Sequence, residues 1–146
     1  MIDKEKPFFE LSKIKDMTSE ILEVVFIKNY SQKKEYKVDT DVFTFKQEGK
    51  EYYILIFSLP GLNRENIEVD VKEDIVTIKA KRELFFPAEM IKLQDDMLRF
   101  ITENAVAIEN YYGIIYRQIK LPKKVKKQEG KAIYAKGLLF IKLECE

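Results

Sequence analysis

Residues 52–60, Tyr-Tyr-Ile-Leu-Ile-Phe-Ser-Leu-Pro, constrain this chain more than any other stretch. Aromatic and β-branched side chains occupy both alternating faces, which favours an extended backbone. A short run that is apolar on both sides and stopped by turn residues is the pattern of a central strand in a two-layer β-sandwich. What stops it is Leu59-Pro60-Gly61. Proline sets φ at the first turn position and glycine accepts a positive φ at the second, so a type II turn is predicted.

The flanks repeat this grammar. Residues 41–47 alternate apolar and polar side chains and reverse at Gly49. Within 66–72, Ile67, Val69 and Val71 share one face while Glu68, Asp70 and Lys72 share the other, and 74–81 reads as the next strand. Residues 83–108 interrupt the series. Pro87 can open a helix there, with Met90, Leu93, Met97, Leu98 and Ile101 on one side. Strand character is predicted to return over 105–122, ended by Pro122, and residues 132–143 supply a final pair. Residues 1–37 differ again: Leu11, Ile14, Met17, Ile21, Leu22 and Val25 fall at helical spacing. That stretch reads as a short amphipathic helix, packed on its own domain or serving as an arm for other copies and partners. The chain divides into an arm, 1–37, and a sandwich, 38–146, carrying 83–108 as an insertion.

Charge excludes several functions. Twenty-six basic and 25 acidic side chains nearly cancel at +1, unlike the strongly basic face of a dedicated nucleic-acid binder. No stretch approaches the ~20 apolar residues of a membrane span, and the N-terminus has no apolar signal core. The lone cysteine, Cys145, rules out an internal disulfide and suits a reducing, cytoplasmic setting. Its two flanking glutamates disfavour a reactive thiolate. With no histidine, a Ser-His or Cys-His nucleophile cannot be built. No phosphate-binding loop is present, because the glycines of Glu-Gly-Lys at 48–50 and 129–131 belong to turns. The carboxylate pairs Asp39/Asp41 and Asp95/Asp96 read as solvated surface, and the lysines at 123, 124, 126 and 127 as a solvated loop. No catalytic residue, metal or cofactor is expected.

Three motifs, in order, carry a resemblance. Leu59-Pro60-Gly61 leads through a polar run into the strand of Ile67. Residues 112–122, Tyr-Gly-Ile-Ile-Tyr-Arg-Gln-Ile-Lys-Leu-Pro, look like Tyr-Gly-x-Phe-x-Arg-x-Phe-x-Leu-Pro with isoleucine for both phenylalanines. Ala132, Gly137 and Leu139 match Ala-x-x-x-x-Gly-x-Leu. The stretch 38–143 thereby resembles the α-crystallin domain of the small heat-shock proteins.

The resemblance implies an all-β fold, an immunoglobulin-like antiparallel β-sandwich, with the amphipathic helix before it and the long insertion within it. It implies an ATP-independent holdase chaperone whose partners are unfolded or partly folded client proteins, with no nucleic acid and no membrane. It also implies a homodimer or small homo-oligomer, with Arg117, Glu109 and Ile108 at the dimer interface and the exchanged segment within 83–108. A groove for clients would lie between the strand of Ile67, Val69 and Val71 and that of Ala132 and Tyr134. The family's usual polar tail with an Ile-x-Ile/Val motif has no counterpart before Glu146, so a smaller assembly is expected. A protein-binding adaptor of the CS-domain type is the alternative, and an enzyme the third reading.

Overall fold

The computed structural model describes residues 36–92, 96–126 and 131–146. Seven strands form two antiparallel sheets. The first contains β1 (Thr40–Gln47), β2 (Lys50–Ser58), β7 (Leu138–Glu144) and β6 (Lys131–Ala135), in the order β1-β2-β7-β6. The second contains β3 (Ile67–Lys72), β4 (Ile75–Arg82) and β5 (Gly113–Lys120), in the order β3-β4-β5. This is the antiparallel sandwich the sequence predicts.

Period-two alternation puts Tyr53, Leu55 and Phe57 of β2 into the core opposite Leu139, Ile141 and Leu143 of β7. Val76, Ile78 and Ala80 of β4 close the layer from the other sheet, together with Ile67, Val69 and Val71 of β3. Leu55, Phe57, Val76, Ile78 and Leu139 are completely buried, and truncating one such side chain to alanine costs about 2–5 kcal/mol. Between the sheets the chain turns at Pro60-Gly61, where Gly61 takes φ +75° as the type II turn requires. A single 3₁₀ turn, Arg64–Asn66, then feeds β3.

Two expectations need correction. The helix predicted from Pro87 begins only at α1, Met97–Asn104. Residues 88–90 instead make a turn, in which the amides of Met90 and Ile91 donate to the carbonyl of Pro87 at 2.9 and 3.2 Å. Met90 is exposed, so an apolar stripe beginning there has nothing to pack on. In addition, residues 105–112 contain no strand, since β5 starts at Gly113. Val106 is 94% exposed and pairs with no neighbour in a ladder, so its β propensity is not used. The amphipathic stripe of Leu11 to Val25 lies outside the described residues.

Candidate protein-interaction site

The client-groove candidates sit on two edge strands. β3 pairs only with β4, and β6 only with β7, among the described residues. The Nη1 of Arg117 donates to the Val38 carbonyl at 2.9 Å, tying β5 to the start of β1. The opposite edges, β3 and β6, therefore share the other side of the sandwich. On them Ile67, Val69, Val71 and Ala132 are each no more than 5% exposed and belong to the core. Tyr134 is half-buried. Its hydroxyl donates to the Leu59 carbonyl at 2.5 Å and accepts from the Leu62 amide at 3.3 Å. Desolvation holds the phenol above its ordinary pKa, so it keeps the proton that it donates. Four of these side chains belong to one core cluster with Tyr134 packed against it, so in the single chain they help to seal the sandwich rather than line an open groove.

The dimer candidates separate. Ile108 and Glu109 line a cavity of about 320 Å³ between α1 and the irregular segments on either side of it. Phe100 of α1 meets Phe86 edge-on at 5.3 Å, and Ile101 is buried beneath. The helix is held at its start by the Asp96 carboxylate, which accepts from the Arg99 amide at 3.0 Å. Arg117 is not part of this cavity. It lies on the inward-facing side of β5 with Ile115 and Ile119.

Sequence reasoning missed Arg82. Its Nη2 donates to the Pro60 carbonyl at 2.7 Å, and its guanidinium lies 4.5 Å over the ring of Tyr36. Tyr36 in turn meets Tyr111 at 5.9 Å. Arg82 follows the alternating run of β4, and nothing in its sequence setting announces contacts more than 20 positions away. The exposed Val42 and Phe43 on the free edge strand β1, and Phe85 in the insertion, were missed for a similar reason. Alternation gives a side chain its face but does not say whether that face is covered.

The lysine cluster is stitched to the sheet. Lys123 reaches the Glu51 carboxylate at 2.9 Å, and Lys126 pairs with Glu144. These hydrogen bonds lower the pKa of both glutamates and raise those of both lysines. Buried Val125 between them bridges Cys145. Burial pushes the Cys145 thiol up, away from the reactive thiolate. Asp96 is spent on its helix cap, while Asp39 faces Lys37 at 4.0 Å with both side chains in solvent. Among the described residues no group of three metal-binding side chains occurs, and no helix is long and apolar enough to cross a membrane.

A family model described as the Hsp20/alpha crystallin family matches residues 45–146. The small heat shock protein C4 of Rickettsia felis is 30% identical over 96 residues, covering 66% of this chain and 52% of that one. The 18 kDa heat shock protein of Streptomyces albus G is 26% identical over 91 residues, covering 62% and 55%. The chain thus spans about half the length of the curated relatives it matches. Solved structures share the fold. The hspA protein of Xanthomonas axonopodis superposes with a TM-score of 0.53 at 23% identity, over 77% of this chain and 96% of that one. A small heat-shock protein of Xylella fastidiosa does so at 0.53 and 24%, over 77% and 88%.

Proposed function

Because this chain belongs to the Hsp20/alpha crystallin family, we propose that it is an ATP-independent holdase chaperone, binding partly unfolded proteins and keeping them from aggregating. The observation that carries the reading is the family match itself, which runs from within β1 through all of β7. The free edge of β1 supports it physically. Among the described residues β1 pairs on one side only, and with Val42 and Phe43 exposed it offers main-chain hydrogen bonds and apolar contact to an extended polypeptide. Main-chain pairing is indifferent to sequence, which suits a binder of many clients.

The same logic makes a homodimer or small homo-oligomer the working form, with Ile108, Glu109 and Arg117 at its interface. Ile67, Val69, Val71, Ala132 and Tyr134 accept client side chains only if β3 and β6 part, since four of the five are buried. The setting proposed is cytoplasmic, and the activity is non-enzymatic.

The test is light scattering from a heat-labile client warmed with and without the protein, at molar ratios near one and without nucleotide. Suppression in proportion to added protein is expected. Unchanged aggregation at a temperature where the protein stays folded would overturn the holdase reading and favour an adaptor for folded partners.

A further inference from the structure

The end of β4 carries a cation with no acidic partner among the described residues. Arg82 is half-buried. Its Nη2 is committed to the Pro60 carbonyl, Tyr36 covers one face of the guanidinium, and its Nε is buried without an acceptor. A Cβ on Gly61 would stand 3.7 Å from that Nε, so the turn packs closely against it. Nη1 has no protein partner among the described residues. The adjoining Lys81, by contrast, meets Glu83 at 3.1 Å. An arginine keeps its charge wherever it is placed, and partial removal from water favours an anion beside it.

The same side chain lines a cavity of about 300 Å³. Pro60, Leu84, Phe85 and Tyr112 give it apolar walls, and Asn110 adds a carboxamide. Apolar walls with a few convergent polar groups are the ordinary make-up of a ligand pocket, and this volume is at the small end of the range. We propose that the cavity binds a small carboxylic acid bearing one aromatic or branched apolar group, its carboxylate on the Arg82 guanidinium and its apolar group against Leu84, Phe85 and Tyr112. The lining favours a carboxylate over a phosphate. A guanidinium edge matches the plane of a carboxylate. A doubly charged ligand would also meet Glu83, which lines the cavity and has Lys81 alone to offset it. The ligand gives Phe85, 68% exposed in the insertion, an apolar contact to make. The site uses neither the β1 edge nor Ile108, Glu109 and Arg117, so it does not depend on the holdase reading.

The test uses the full chain, which contains no tryptophan. Phe85→Trp therefore places a single fluorescent reporter at the cavity. Tyr116→Trp, at a 54% exposed position on β5, is the control away from it. Each variant is titrated with hydrocinnamate, with its neutral amide and with acetate, and circular dichroism verifies the fold. Hydrocinnamate is expected to give a saturable change in emission at Phe85→Trp and none at Tyr116→Trp. The amide and acetate should each bind about tenfold or more weaker, and adding Arg82→Gln should weaken hydrocinnamate to a similar degree. No saturable change at Phe85→Trp, or the same change at both reporters, would overturn the proposal. So would undiminished affinity in folded Arg82→Gln. Equal binding of hydrocinnamate and its amide would overturn it too, in a comparison that leaves Arg82 in place.

Discussion

A Cβ placed on Gly137 would lie 3.2 Å from the Cα of Pro60, on a backbone with φ +75°. The same residue's carbonyl accepts from the Leu59 amide at 2.8 Å, so the turn between β6 and β7 is pressed against the turn that leaves β2. Neither side can yield without breaking that hydrogen bond. Gly137→Ala is therefore expected to destabilise the fold by about 1–3 kcal/mol, read as a lowered urea midpoint, through left-handed strain and the Pro60 contact together. An unchanged midpoint would mean that the two turns are free to move apart. The Ala-x-x-x-x-Gly-x-Leu pattern thus has a steric reason. Its glycine is where one hairpin touches the exit of another strand.

At the scale of elements, α1 is short and depends on its cap. Asp96→Ala removes the acceptor for the Arg99 amide and is expected to cost about 0.5–2 kcal/mol. Because only Ile101 of the helix is buried, the loss should appear as faster amide exchange over 97–104 with the strands unaffected. Equal loss of protection in β2 would instead make the helix part of the cooperative core. The contrast with the strands explains what the sequence made legible. β2, β3, β4 and β7 carry alternation strong enough to give face and extent directly, because tertiary packing and local pattern agree there. Residues 105–112 read as a strand because Ala-Val-Ala-Ile has strand composition, yet they join no ladder among the described residues. The helix start was placed ten residues early because Met90 fitted the spacing while facing solvent. For the candidate site, the motifs pointed to Arg117 of β5 and to residues that fall on the edge strands β3 and β6. They could not tell that Ile67, Val69 and Val71 point into the core, since a groove wall and a core wall share one pattern.

For the molecule as a whole, two exposed ion pairs fasten the 121–126 turn to the four-stranded sheet. Glu51 is held below its usual carboxylate range chiefly by its hydrogen bond from Lys123, and Glu144 by that from Lys126. A depressed folded pKa stabilises above the unfolded value and ceases to do so as pH falls through the folded one. On the basic side the raised lysines give a contribution that is full below their unfolded value and lost as pH rises through the folded one. Stability should hold a plateau at neutral pH and decline on acidification below about pH 4.3, the ordinary glutamate value. Because both lysines are exposed and the glutamates only half-buried, solvent screens the pairs and the change is small; Glu51→Gln with Glu144→Gln should flatten part of it in urea midpoints taken across that range. Identical acid profiles for the two proteins would assign the decline to other carboxylates. The register between the sheet's two central strands has a consequence of another kind. Ser58 of β2 pairs with Leu138 of β7, about 80 residues later. On a ribosome adding ~5–20 residues per second, β2 waits several seconds for the strand that closes its second edge. Throughout that interval the nascent chain exposes an apolar strand edge of the kind a holdase intercepts, so during its own synthesis the protein passes through the hazard from which it is proposed to protect others.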